Sequence, residues 1–157
     1  MPTRMFIHGL ESNNKGTKSV FFRERYPDMI IPHFAGHLQE RMKKLKELLE
    51  DETNIRLVGS SFGGLMASLF AAENEAKIEK MILLAPAINL MEFAPMKGAE
   101  ITVPVWIYHG KADEVIPLSD VKKVANETFT NLSFHVVDDD HFLHKTFKTI
   151  DWYNHLA

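Results

Sequence analysis

Along the whole chain, apolar runs too short to be anything but strands alternate with stretches of helical periodicity. Met5-Phe6-Ile7, Met29-Ile30-Ile31, Asn54 to Val58, Lys80 to Leu84, Val103 to Tyr108 and Leu132 to Val137 read as strands. Several are apolar without a break, the mark of a parallel sheet covered on both faces; a sheet with one wet face alternates apolar and polar residues instead. Between them lie amphipathic segments. In His37 to Glu50 the residues Leu38, Met42, Leu45 and Leu49 form one stripe, and Arg41, Lys43, Lys44 and Lys46 fall off it as a solvated face. Phe62 to Glu75 is a second helix, rich in alanine and leucine, and another runs within Lys15 to Tyr26 and stops before Pro27. Ser119 to Thr128 and Phe142 to His155 carry weaker helical patterns. The alternation predicts an α/β fold, a three-layer α/β/α sandwich around a mostly parallel sheet of about six strands joined by right-handed crossovers.

A chain of 157 residues with no repeat, low-complexity tract or linker is expected to form a single domain over 1–157. The formal net charge of −3 speaks against a phosphate backbone or an anionic membrane as partner, so no nucleic acid is expected. Cysteine is absent, which excludes disulfides, thiolate zinc sites and a cysteine nucleophile, and fits a reducing compartment. The first strand-like run begins at Met5, leaving no room for a secretory apolar segment, and Met81 to Ile88 and Val103 to Tyr108 are far short of a membrane span. A cytoplasmic protein is the expectation.

In such sheets chemistry sits on the loops leaving the carboxyl ends of the strands. Gly59-x-Ser61-x-Gly63 follows the strand ending at Val58 and opens the helix beginning at Phe62. That is the context of a nucleophile elbow, in which a tight strand-to-helix turn strains the serine backbone and lifts its hydroxyl above the sheet edge. Residues two before and two after the serine must be tiny to avoid collision, a condition that Ser61 meets and Ser60 does not. A phosphate loop is excluded, because Leu65-Met66 stands where Gly59 and Gly64 would require Lys-Ser/Thr.

A serine hydroxyl needs a base. His141 follows the last strand on the same sheet edge, whereas His144 is already inside the predicted helix, and His135 and His155 read as structural or solvated. His109 ends a strand beside Gly110 and reads as a packing or supporting residue. The base in turn needs a carboxylate, and Asp113 leaves the sheet after the strand ending at Tyr108. Asp138, Asp139 and Asp140 compete for that role but read as a solvated turn, and Glu114 as exposed. Phe62 N–H and Leu10 N–H, the latter in the His8-Gly9-Leu10 loop, are the expected donors to an oxyanion. His33 and His37 lie four apart, but without the glutamate of H-E-x-x-H and with a glycine between them, so no metal is expected there and no cofactor is implied.

Taken together, His8-Gly9-Leu10, Leu57 to Gly64, Met81 to Ala87, His109 to Pro117 and Asp140-His141-Phe142 resemble the α/β-hydrolase superfamily, most closely its small, cap-less bacterial serine esterases. The resemblance implies Ser61, Asp113 and His141 as a triad, with Leu10 and Phe62 as oxyanion donors. Two features depart from the family. Asp138-Asp139-Asp140 stands where glycine often precedes the histidine, and the segment 88–100 is too short for the helical lid that larger members carry.

Ile88, Leu90, Met91, Phe93 and Met96 are candidates for an acyl pocket, with Met91 and Phe93 foremost; core cover or a homodimer contact is the competing reading. The expected activity is hydrolysis of small carboxylic esters or thioesters through an acyl-enzyme. Amide, peptide or C–C bond hydrolysis by the same triad is the alternative. A catalytically silent binding module and a metal-dependent role for Asp138 to His141 come behind these.

Overall fold

The computed structural model describes residues 1–90 and 100–157. Five parallel strands form one sheet in the order β1 (Thr3–Ile7), β2 (Ile55–Ser60), β3 (Ile78–Leu84), β4 (Val105–Gly110) and β5 (Leu132–Val137). The helices are α1 (Thr17–Arg25), α2 (Leu38–Leu48), α3 (Phe62–Asn74), α4 (Leu118–Thr128) and α5 (Trp152–Leu156).

Strand alternation decides which helix covers which face. Met5, Ile7, Ile55, Leu57, Met81, Leu83, Val105 and Ile107 pack with Leu45 of α2, Leu65, Met66 and Phe70 of α3, and Val121 and Ala125 of α4. Their neighbours Phe6, Val58, Ile82 and Leu84 point the other way, into Phe21 and Phe22 of α1 and Trp152 and Leu156 of α5. Both faces are therefore covered over β1 to β4, as the unbroken apolar runs require, whereas every residue of β5 at the sheet edge stays exposed or half-buried.

The segment around Ile30 is where expectation and structure differ. Ile30 forms an isolated parallel bridge with Met5 on the side of β1 away from β2, giving N–H to Arg4 O at 2.8 Å and accepting from Phe6 N–H at 3.0 Å. It does not lengthen into a sixth strand. Pro32 has no N–H to continue the ladder, and Pro27 restricts the approach. The bridge still sets the topology: the chain steps outward from β1 through α1, then back across β1 through α2 to β2. Reversing the direction of travel puts right-handed crossovers on opposite faces, which is how α1 and α2 come to lie on different sides.

The predicted helix over Phe142 to His155 is broken. A turn with Leu143 at φ 54° leads into a short 3₁₀ segment, Phe147–Thr149, and only then into α5, where Asp151 accepts the N–H of Asn154. Among the described residues no helix is long and apolar enough to cross a membrane.

Candidate active site

β2 ends at Ser60 and α3 opens at Phe62, so Ser61 alone makes the turn between strand and helix. Its backbone sits at φ 55°, ψ −115°, a conformation that residues with side chains rarely adopt and that costs roughly 1–3 kcal/mol. The surroundings hold it there. Ser61 donates its N–H to Leu84 O at 2.9 Å, and its carbonyl accepts from the N–H groups of Gly64 and Ala87, both at 2.9 Å. The glycine spacing has a steric cause: a Cβ on Gly59 would stand 2.5 Å from Gly63 O, and one on Gly63 only 2.1 Å from Ile7 O. Ser61 is the N-cap of α3 but its side chain caps nothing, which leaves the hydroxyl free for another partner.

That partner is His141, whose Nε2 lies 3.1 Å from Ser61 Oγ. On its other side, His141 Nδ1 is 2.8 Å from Asp113 Oδ2. A proton on Nδ1, donated to the carboxylate, leaves Nε2 as an acceptor facing the hydroxyl, the tautomer a general base needs. Asp113 is fully buried at its side chain and His141 nearly so. The Asp113 carboxylate is held by more than the histidine. Its Oδ1 accepts from Val115 N–H at 2.9 Å and Ile116 N–H at 2.8 Å. The structure thus brings Ser61, Asp113 and His141 together from three different loops of one sheet edge.

Two further buried histidines support the arrangement. His109 Nε2 is 2.9 Å from Ile116 O and 3.2 Å from Asp113 Oδ2, so one N–H is shared between the Ile116 carbonyl and the carboxylate. Burial pulls its pKa below the usual histidine value, keeping the ring neutral, and its Nδ1 is buried without a partner. His8 is the counterpart just past the end of β1. Its Nδ1 donates to Gly9 O at 2.7 Å, while its Nε2 accepts Phe34 N–H at 2.9 Å, and burial again lowers the pKa. His8 therefore clamps the loop that carries Gly9 and Leu10. That loop lies against the serine, since a Cβ on Gly9 would meet Ser61 Cβ at 3.4 Å. The Leu10 side chain faces outward and is half exposed. Phe62, first residue of α3, has an N–H that precedes the first intrahelical acceptor. The Arg41 guanidinium covers its ring at 5.5 Å, and Arg41 Nε is tied to Gly36 O at 2.9 Å.

The acidic run before His141 is not the solvated turn expected of it. Asp138 is exposed, but Asp139 is only 5% exposed and works as a knot. Its Oδ1 accepts from Asp140 N–H at 2.8 Å, and its Oδ2 from Lys145 N–H at 2.9 Å and Thr146 N–H at 2.7 Å. Its carbonyl accepts Ala112 N–H at 3.0 Å, stitching the His141 loop to the Asp113 loop. Burial alone would raise the Asp139 pKa, but these donors together hold it below the usual carboxylate value. Asp140 then orders the next residues, accepting from Phe142 N–H at 3.0 Å and pairing with His144 Nδ1 at 2.6 Å. His144 is thus spent on an exposed contact with Asp140. Nothing in the sequence separates Asp139 from its two neighbours; only the fold shows which carboxylate turns inward.

Of the acyl-pocket candidates, Ile88 is buried in the core and Leu90 is exposed, while Met91, Phe93 and Met96 lie outside the described residues. His33 stacks on His8 at 5.5 Å, and His37 caps α2. Among the described residues no three His, Asp or Glu side chains converge as a metal ion would need.

A family model described as alpha/beta hydrolase fold matches residues 23–100, about half of the chain. Solved structures match over most of it. Est1E from Butyrivibrio proteoclasticus, in a structure with ferulic acid bound, is 17% identical with a TM-score of 0.78, covering 96% of this chain and 85% of that one. Alpha/beta hydrolase domain-containing protein 10 from mouse is 21% identical with a TM-score of 0.75, covering 89% and 82%. An alpha-beta serine hydrolase homologue from Coxiella burnetii is 19% identical with a TM-score of 0.68, covering 90% and 78%. No curated protein matches the sequence. With its parallel sheet, strained strand-to-helix turn and matching family model, the chain belongs to the α/β-hydrolase superfamily. It is a small, cap-less form, since only residues 85–104 separate β3 from β4.

Proposed function

We propose that the protein is a serine hydrolase acting on small carboxylic esters or thioesters, with Ser61 as nucleophile, His141 as general base and acid, and Asp113 as its orienting carboxylate. The observation that carries this reading is the continuous chain of contacts from Asp113 Oδ2 through His141 to Ser61 Oγ, at 2.8 and 3.1 Å. Ser61 Oγ attacks the ester carbonyl as its proton passes to His141 Nε2. Asp113 steadies the imidazolium that forms. The tetrahedral oxyanion is received by the N–H groups of Phe62 and Leu10, whose loss would each cost about 10²–10³ in turnover. His141 returns the proton to the leaving alcohol, the acyl group stays on Ser61, and water repeats the sequence in reverse. No cofactor takes part, and the chain works as one domain. Without a lid the site would be shallow and open, which suits a small diffusing substrate in the cytoplasm. The ferulic acid bound to the Est1E neighbour, a carboxylic acid, fits the same product class.

Hydrolysis of p-nitrophenyl esters from acetate to dodecanoate, compared between wild type and Ser61→Ala, tests the reading. Activity falling at least about 10³-fold in the variant supports it. Equal activity in both contradicts it. Inertness of both proteins towards all esters removes the ester assignment and moves the same residues to amide or C–C bond substrates.

A further inference from the structure

Phe142 is a large aromatic ring left 58% exposed immediately after His141. Its exposure is not that of a loose loop. Asp140 Oδ1 accepts its N–H at 3.0 Å, and Lys18 Nζ, reaching from α1, donates to its carbonyl at 2.8 Å. Side chains from two elements therefore fix the backbone on both sides of a ring that the core does not take up. The ring stands edge-to-face to the His141 imidazole, with centroids 5.3 Å apart and planes at 73°, and the His144 ring flanks it at 5.5 Å. A clamped ring kept out of the core and set beside His141 is placed to meet whatever occupies the site.

Its position relative to His141 says which part of a substrate would use it. In ester cleavage the acyl C–O bond breaks, the acyl carbon remains on Ser61 Oγ, and the departing oxygen takes the proton from His141 Nε2. The departing oxygen must then lie within hydrogen-bond reach of that nitrogen. Whatever the oxygen carries lies beside the histidine rather than beside the two N–H donors. We infer that Phe142 is the platform for the alcohol portion of the ester and selects substrates with an aromatic or bulky apolar alcohol. The inference rests on Ser61 and His141 having the roles proposed above.

Benzyl acetate and ethyl acetate share an acyl group and differ in the alcohol. The readout is the ratio of their kcat/KM values in wild type, Phe142→Ala and Phe142→Tyr. The ratio falls about tenfold in Phe142→Ala, since each 1.4 kcal/mol of lost contact is tenfold, and recovers in Phe142→Tyr, which keeps the ring. The preference between p-nitrophenyl acetate and octanoate stays as in wild type. An unchanged benzyl-to-ethyl ratio overturns the inference, and so does a change confined to acyl-length preference, which would put the ring on the acyl side. Benzyl ester cleavage that survives Ser61→Ala overturns the catalytic reading instead. If wild type cleaves neither acetate, titration of benzyl alcohol against the His141 ring resonances decides. Shifts in wild type that vanish in Phe142→Ala support the platform, and no shift in either removes it. A dimer in solution that Phe142→Ala dissociates would show that a second copy covers the ring, and would also overturn it.

Discussion

The two halves of the site are held in place by different physics. The elbow at Ser61 is built from sterics: glycines at 59 and 63 let α3 press against the end of β1, and main-chain hydrogen bonds from β3 fix a strained serine with no side-chain help. The Asp113 and His141 loops are built from carboxylates. Asp113 and Asp139 each collect several N–H donors, and Asp140 adds one more turn at the surface. Steric construction tolerates no added atom, whereas a hydrogen-bonded one yields by degrees as acceptors are removed or protonated. A shape-built element holds the proposed nucleophile still, and a bond-built element carries the groups proposed to move protons.

The comparison breaks first at Gly63. Gly63→Ala places a Cβ 2.1 Å from Ile7 O, backbone against backbone, and neither β1 nor α3 can shift without opening the core. A loss of more than about 3 kcal/mol, or no folded protein, is expected in urea denaturation, in contrast to Gly9→Ala, where the new atom meets only an ordinary 3.4 Å contact. Near-wild-type stability of Gly63→Ala would show that the elbow is not sterically locked.

Asp139→Ala comes next. It strands three N–H groups of a half-buried loop, for an expected loss of about 2–3 kcal/mol, and Asp139→Asn loses less because one acceptor oxygen remains. Equal losses in the two variants would mean that charge rather than hydrogen bonding holds the loop.

Acid titration separates the carboxylate loops from the rest of the molecule. His155, buried on α5 and 3.0 Å from the Tyr108 hydroxyl, has its pKa pulled by burial from 6.5 to about 4. The unfolded chain takes up that proton first. Its contribution to stability is therefore complete above 6.5 and is lost as pH falls towards 4, by up to ~1.4 kcal/mol per pH unit. Asp139, with its pKa depressed, keeps its contribution through that window and loses it only below the ordinary carboxylate range. In His155→Gln the slope between pH 6.5 and 4 flattens, while the steeper loss at lower pH persists in that variant and weakens in Asp139→Asn. The smallest effect belongs to Asp140→Ala. Its contact with His144 is exposed on both sides and its bonds to the Phe142 and His144 N–H groups lie at the surface, so the loss is at most about 1 kcal/mol and thermal unfolding should move little.

The same contrast explains what could be read from the amino acids. A steric constraint leaves a mark in residue types at fixed spacing, so Gly59, Ser61 and Gly63 announced a tight turn, and strand alternation announced two covered faces. The positions of Asp113 and His141 after successive strands were legible because parallel topology sends every such loop to one edge. Hydrogen-bond construction leaves no such mark. Three consecutive aspartates look alike until the fold turns one inward, and His8 looks like an ordinary histidine until its partners Gly9 and Phe34 are in place. The break in the last helix was hidden for a similar reason, since nothing in residues 142–155 marks Leu143 as the position that takes φ 54° and turns the chain out of a helix.

The most direct test of Ser61 as nucleophile is covalent. The wild-type protein, Ser61→Ala and His141→Ala are incubated with an alkyl fluorophosphonate and examined by intact mass and peptide mapping. The proposed mechanism predicts one adduct per chain in wild type, on Ser61, absent in Ser61→Ala and formed far more slowly in His141→Ala. An unmodified wild-type chain, or an adduct on another residue that persists in Ser61→Ala, would contradict it.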